Sequence, residues 1–317
     1  MKIAGSYLQL LFDFAAYQYI PESQLKTLLT EPGIDLCAAD CLVPITDYQK
    51  VVHALVSRQK QQGLGLVYGV FLNLKALGLI HQISLETTSI QQAFRLLEDY
   101  LRIHFPLVSL EKEEVGPSLQ VHLRSKLSDP IFKEFVLDST FCFIYRELST
   151  MMKPELIQLG LPYEDRSPFQ RQLRHNIEHS ESHRFSFTIT SVNDKINQRQ
   201  LQVVDVLLPK YLLLLEKKEE QSFPTLVKKM MLNMSTPALP NLSQVSAQFA
   251  MSDRSFQRKL RANGQSFRTI ANELKRNLAL YLQAGGKMKV KDIAYILGYS
   301  EPSAFLHAAR KWSSGSM

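Results

Sequence analysis

Apolar positions recur at helical spacing through most of the first third of the chain. Leu10, Leu11, Phe14 and Ala15 share one face of a helix expected within residues 1–30. Pro21 opens a second helix that ends near Leu29, where Pro32-Gly33 stops it. A third, amphipathic helix runs from Pro44 to about Gln62. Residues 63–82 are apolar and punctuated by Gly63, Gly65, Gly69 and Gly78, which predicts a buried, closely packed helix. The glycine spacing does not fit a phosphate loop, and no Gly-Lys-Ser/Thr follows. Thr88 or Ser89 caps a helix from Ile90 to His104. The pattern then alternates. Val108–Glu113, Leu119–Arg124 and Phe185–Thr190 read as strands, with Gly116, Pro117 and Ser118 turning the chain between the first two. Ile131–Met151 returns to helical period, with Phe135, Ser139, Thr140, Phe143 and Ile144 near one stripe. Residues 1–200 therefore predict a mixed α+β domain.

Beyond this point every signal is helical. A leucine-rich helix spans Val203–Glu220 and reads as domain core rather than dimer seam, because Pro209 limits a continuous coiled coil. Ser222 or Phe223 leads into Pro224 and a helix to about Met234, followed by a loop over Ser235–Pro240. A short pattern then occurs twice, 48 positions apart: VSAQFAMSDRS at 245–255 and IAYILGYSEPS at 293–303. Each copy packs one helix through two apolar residues, Val245 and Phe249 or Ile293 and Leu297. Each turns on a small residue, Ala250 or Gly298, and caps the next helix with serine, Ser252 or Ser300, followed by an acid. This is the pattern of two helix-turn-helix units, at 242–262 and 290–312, whose second helices suit a DNA major groove. Asn263-Gly264 ends the first unit, Phe267–Ala284 is a connecting helix, and Gly285-Gly286 breaks it.

Charge sharpens the picture. The chain carries +7, but residues 224–317 hold 14 Lys and Arg against 4 Asp and Glu, while the remainder is mildly acidic. A basic segment on an acidic body points to a polyanion partner for the C-terminal part alone. Hydrophobic content of 45% and charged content of 21% describe a globular chain of 317 residues, long enough for two domains. Three cysteines give no disulfide framework, no apolar run reaches the roughly 20 residues of a membrane span, and no secretory signal is evident, so a cytoplasmic protein is expected.

A connecting helix of about 17 residues spans roughly 25 Å. With the helix radii added, two recognition helices come to lie near one DNA turn apart, roughly 34 Å. In the first, Arg254, Gln257, Arg258 and Arg261 fall on one face, opposite Phe256 and Leu260. Arginine pairs bidentately with guanine and glutamine with adenine, so this face can read bases. Lys259, Arg261, Arg268, Lys275, Arg276, Lys287, Lys289 and Lys291 are candidate phosphate contacts.

The segment 245–267 followed by 293–305 strongly resembles the AraC/XylS family of bacterial transcription regulators. Residues 1–215 resemble the arabinose-binding-like sensing domain of one branch, through GLGLVYG at 63–69, SIQQAFRLLEDY at 89–100 and the Phe-bearing strand region after Pro168. The resemblance implies an α+β effector-sensing and dimerisation domain over 1–215, a linker over 216–222 and an all-α DNA-binding domain over 223–317. It implies double-stranded DNA and a small-molecule effector as partners, RNA polymerase as well for an activator, a homodimer, no cofactor, no metal and no catalytic site. It carries the base-reading positions onto Arg254, Gln257 and Arg258 in the first unit and onto Pro302, Ser303, Leu306 and His307 in the second. Three departures stand out. His307 replaces the family's usual arginine, Ala309 replaces a buried phenylalanine, and the closing stretch after Trp312 is short. Unfilled, the lost phenylalanine costs about 3–5 kcal/mol. The second unit is accordingly expected to be looser and to read less sequence than the first.

Other constellations carry less. His175, His179 and His183 sit four apart with Glu178 and Glu181 between them, which on a helix could bind zinc, but the segment runs from a Pro-containing stretch into a strand and reads as a surface polar loop. Cys37 and Cys41 have no second thiol pair nearby. No GxSxG elbow is present. An enzyme fused to a DNA-binding tail would need a metal-held cysteine cluster, which the chain lacks. The remaining alternative is a ligand-independent DNA-binding regulator whose N-terminal domain is a protein-interaction or dimerisation module.

Overall fold

A computed structural model describes residues 1–36, 38, 41–58, 63–72, 89–193, 222–235, 239–284 and 289–313. Two compact units emerge, one built mainly from residues 1–201 and the other mainly from residues 202–317. The leucine-rich segment 203–220, the linker 216–222 up to residue 221, Gly78, Cys37, Gly285-Gly286 and Lys287 lie outside the described residues.

The first unit opens differently from the expected helix. Lys2–Ala4 is a strand, β1, paired antiparallel with Leu42–Pro44, β2. Helix α1 (Gly5–Tyr17) follows, buried through Leu8, Leu11, Phe12, Phe14 and Ala15. Leu10, expected in the core, is only half-buried. The second helix, α2 (Glu22–Lys26), is a short turn that stops before Leu29. Helix α3 (Ile45–Arg58) and the wholly buried α4 (Leu64–Phe71) come next. Helix α5 (Ile90–His104) is capped by Ser89, whose hydroxyl accepts from the Gln92 amide.

Strands β3 (Ser109–Val115) and β4 (Ser118–Arg124) form a hairpin with Val115 paired to Ser118, so Ser118 is strand rather than turn. Gly116 makes the tight turn at φ 58°. The alternating signal missed two strands of this sheet, β5 (Gln158–Leu161) and β6 (Ile177–His179), which are too short to show a period. With β7 (Arg184–Thr188) they complete a five-stranded sheet in the order β3-β4-β7-β5-β6, antiparallel except for β5 with β6. A helix α7 (Ser167–Leu173) joins β5 to β6, and α8 (Ile189–Asn193) occupies what was expected to be the end of β7.

Helix α6 (Pro130–Met151) is the centre of the unit. Asp129 caps it, accepting from the Phe132 amide at 2.7 Å, with Pro130 in its first turn. It is buried nearly all round rather than along one stripe, the mark of a helix inside a core. On one side Phe141 stacks on Phe185 of β7, centroids 4.7 Å apart, and Phe94 of α5 meets Phe187 at 5.5 Å. On another, α4 lies directly against it at Gly65 and Gly69. A Cβ on Gly69 would come within 2.6 Å of the Ser139 carbonyl oxygen. Arg146 then donates to the carbonyls of Val70 and Leu72, closing the end of α4.

The histidine reading needs correction. His183 is not on a surface loop: it is 3% exposed, with Nε2 2.7 Å from Oδ1 of the equally buried Asp138, to which the Tyr163 hydroxyl also donates at 2.7 Å. His175 meets the Ile157 carbonyl at 2.7 Å and His179 is exposed in β6, so the three do not converge. Among the described residues no group of three His, Cys, Asp or Glu is placed to hold a metal. No described helix is long and apolar enough to cross a membrane.

Glu147, 7% exposed beside the buried Arg146, gives the unit a pH dependence. Burial pushes its carboxyl up to about 7, with the Arg146 charge opposing. A carboxyl whose folded value lies above its unfolded one, about 4.3, penalises the folded state progressively as pH rises between the two, and fully above both. Glu147→Gln is therefore expected to raise stability at pH 8 by about 2 kcal/mol and to change little at pH 4. Urea unfolding at the two pH values checks this; an equal effect at both rules it out.

Candidate nucleic-acid interface and sensor cavity

The second unit is helical throughout its described residues. Helix α9 (Phe223–Asn233) is capped by Ser222 and buries Val227, Met230 and Met231. Helix α10 (Leu242–Gln248) starts with a reciprocal cap that the sequence reading overlooked: the Gln244 amide donates to Asn241 Oδ1 at 2.8 Å, and the Asn241 amide to Gln244 Oε1 at 2.9 Å. An Asn-x-x-Gln ahead of an apolar pattern was its signal.

The repeat is visible in the turns. After α10 the Met251 amide donates to the Ser246 carbonyl at 3.1 Å, with Ala250 at φ 51°. After α13 (Val290–Ile296) the Tyr299 amide donates to the Ala294 carbonyl at 3.0 Å, with Gly298 at φ 76°. Both are the same six-residue closure through a left-handed residue. The helices beyond differ. Helix α11 (Asp253–Ala262) is capped by Ser252, which accepts from the Ser255 amide. Helix α14 (Pro302–Ser313) begins one place later in the repeat, so Ser300 stands one residue too early for the expected cap and Pro302 fills the first turn.

The first helix pair also carries a tie whose residues the repeat does not keep. Asp253 accepts from the hydroxyls of Ser243 and Ser246, each at 2.5 Å, joining the two helices across the turn. The equivalents of Ser246 and Asp253 in the repeat are Ala294 and Glu301, and alanine cannot make this bond.

On α11, Phe256 and Leu260 are both fully buried, while Arg254, Arg258 and Arg261 are exposed and Gln257 is half-buried. Asn263 and Gly264, the latter at φ 69°, end the helix. Lys259 is turned inward, its Nζ 4.4 Å from the Phe223 ring centroid. Helix α12 (Phe267–Ala284) occupies the expected span and buries Ile270, Leu274, Leu278 and Leu282. Arg268 is exposed and Arg276 half-buried. Lys275 lies 4.4 Å over the Tyr299 ring, and burial lowers its pKa, so it holds α12 against the second turn. Lys289 and Lys291 are exposed. On α14, Ser303, Leu306 and His307 are exposed and Pro302 is half-buried. Ala309 is half-buried. Phe305 and the chain's single tryptophan, Trp312, close on each other along its face with centroids 6.2 Å apart.

The first unit holds a partly open cavity, with about 530 Å³ of empty space when the open solvent at its mouth is included. Tyr7, Tyr48, Tyr68 and Tyr100 line it from α1, α3, α4 and α5, and α6 contributes Ser139, Thr140 and Phe143. No sequence signal marks this group, because its members are spread over a hundred positions and meet only when the helices pack.

Two family models match the chain. One is a helix-turn-helix domain over residues 245–316, the other the N-terminal arabinose-binding domain of the AraC transcription regulator over residues 25–172. The uncharacterized HTH-type transcriptional regulator Rv1395 of Mycobacterium tuberculosis is 23% identical over 139 residues, 44% of this chain and 40% of that one. The HTH-type transcriptional regulator VqsM of Pseudomonas aeruginosa is 32% identical over 77 residues, 24% of each. The match thus spans about 40% of the length of the mycobacterial relative. A solved structure, the transcriptional regulator CdpR of Pseudomonas aeruginosa, aligns over 97% of this chain and 95% of that one at 15% identity and a TM-score of 0.45. The matched families and relatives are transcriptional regulators, not enzymes. Helical C-terminal segment and α+β N-terminal unit each coincide with the family model that describes them, and the chain carries the two domains of an AraC-type transcription regulator, a helix-turn-helix domain and an arabinose-binding-like N-terminal domain.

Proposed function

We propose that the chain is a sequence-specific regulator that binds double-stranded DNA through two helix-turn-helix units, 242–262 and 290–312, joined by α12, under control of a small effector held by a domain spanning about residues 1–215. The observation that carries this reading is the two-sided α11. Its inner face is fixed by the fully buried Phe256 and Leu260, and its outer face offers Arg254, Arg258 and Arg261. A rigid helix with exposed arginines and a glutamine is suited to base edges in a major groove. Arg254, Gln257 and Arg258 read bases in the first half-site; Pro302, Ser303, Leu306 and His307 face the second. Arg261, Arg268, Arg276, Lys289 and Lys291 hold phosphates. Lys259 and Lys275, engaged on aromatic rings, contribute less to that set than their charge alone suggested. The cavity in the first unit favours effector control over a ligand-independent interaction module. The effector acts by binding one DNA-binding state better than another.

Footprinting on DNA upstream of the chain's own and adjacent genes is expected to protect two segments about one turn apart, with affinity falling steeply as salt rises. Arg258→Ala is expected to weaken specific binding by about 10- to 100-fold, the worth of one bidentate pair. His307→Ala, on the helix that lacks the Asp253-type tie, is expected to cost at most a few-fold. Equal losses in a titrated gel-shift series would contradict the division of labour, and absence of any protected site would contradict DNA reading itself.

A further inference from the structure

The cavity of the first unit is lined by four tyrosines that lie close to one another and by mostly apolar side chains. Tyr7 and Tyr100 join hydroxyl to hydroxyl at 2.7 Å. Tyr48 and Tyr68 lie close to each other and to Tyr7, close enough for the three phenols to feel one another electrostatically. The rest of the lining is mostly Leu10, Leu72, Leu101, Phe105 and Phe143. Among the described residues that line it, none is charged. The hydroxyl of Ser139 is turned back to its own helix, donating to the Val136 carbonyl at 3.1 Å.

Each feature restricts the occupant. Phenol hydroxyls donate and accept, so they can hold a carbonyl or hydroxyl group. Burial raises the pKa of Tyr7, Tyr48 and Tyr68, so these phenols stay uncharged. The nearest carboxylate sensed by Tyr68 is Asp13, which repels an anion. A buried charge without a countercharge is strongly disfavoured. A sugar displays hydroxyls around its whole outline, and each one facing Leu72, Leu101 or Phe143 would lose its hydrogen bond.

We propose that this cavity is the effector site, and that it takes an uncharged molecule with an apolar aromatic or aliphatic body and one carbonyl or hydroxyl end seated on the tyrosine cluster. The inference rests on the effector-controlled reading above and adds the site and the ligand class.

Isothermal titration and thermal melting of the full chain, without DNA, test it with four probes. Acetophenone and 2-octanone represent the proposed class, benzoate is the charged counterpart of the first, and L-arabinose represents a sugar. At least one ketone is expected to bind and raise the melting temperature by about 2–4 °C at saturating concentration. Benzoate is expected to bind at least tenfold more weakly and arabinose not at all. Tyr7→Phe, which keeps the ring and removes one hydroxyl and its bond to Tyr100, is expected to weaken ketone binding about tenfold while lowering the unliganded melting temperature by no more than about 2–4 °C. Binding of arabinose or benzoate as tight as that of either ketone overturns the proposal. So does silence from both ketones, or a Tyr7→Phe variant that binds them unchanged. A parallel gel shift keeps the two readings apart. DNA binding without ketone binding removes the site assignment alone, and ketone binding without DNA binding removes the regulator reading.

Discussion

Phe256→Ala is expected to unfold the reading head rather than merely weaken it. The Phe256 ring is fully buried and meets two others edge-on, Phe223 of α9 at 5.4 Å and Phe267 of α12 at 6.5 Å. It therefore holds three helices together from inside α11. Truncation removes the transfer energy of a whole aromatic side chain, leaves a cavity that helices cannot close without moving, and gives up both ring pairs. That is worth about 3–5 kcal/mol, a large part of what a domain of this size has to spare. Urea unfolding followed by Trp312 fluorescence reports it directly, since this residue is the chain's one tryptophan and lies 8% exposed in the same unit. DNA binding should be lost in proportion, although Phe256 touches no base in the proposed docking. Phe256→Leu, which refills most of the volume, should cost about 1–2 kcal/mol and retain binding. An unshifted unfolding midpoint in Phe256→Ala would show that the ring is not the keystone of this unit.

Gly69→Val is expected to be the most damaging single change in the N-terminal unit. Beyond the 2.6 Å approach to the Ser139 oxygen, a Cβ at this position would lie 2.7 Å from Cys142 Cβ and 2.8 Å from Ser139 Cα. Two of these three neighbours are backbone of α6, which has nowhere to go because it is buried on every side. The helices would have to separate, and Arg146 would lose the carbonyls it caps at the end of α4. A loss of about 3 kcal/mol or more follows, at the upper end for overpacked cores. Gly116→Ala is the contrasting control. Gly116 has φ 58° and nothing within 4 Å of its would-be Cβ, so only backbone strain of about 1 kcal/mol is expected there. Chemical unfolding of the two variants separates steric closure from turn geometry. Similar small losses in both would mean that α4 and α6 can move apart cheaply.

These two glycines show how far sequence reading reaches. The spacing of Gly65 and Gly69 in an apolar run was enough to expect a closely packed helix, but its neighbour, α6, lies about 70 positions away and no local pattern names it. The long amphipathic helices α5, α9, α11 and α12 were legible because several turns repeat one period and capping residues mark their ends. The strands β1, β2 and β6 were not, since three residues contain no period and their pairing is chosen by distant partners. His183 misled for the same reason. Its surroundings in sequence are polar, yet Asp138, 45 residues earlier, draws it into the core.

By itself the chain's order of residues determined the two matching turns of the C-terminal segment, because a turn on Ala250 or Gly298 between apolar pairs is a local instruction, written twice and satisfied by bonds within six residues. It also determined which face of α11 turns outward, since Phe256 and Leu260 leave only one side for Arg254 and Arg258. Only the tertiary structure decided that Lys259 and Lys275 lie on aromatic rings, that Phe305 and Trp312 meet ring to ring, and that four tyrosines from four helices line one cavity. Such features depend on the close packing of side chains far apart along the chain, and that packing is fixed by shape and burial rather than by any short pattern.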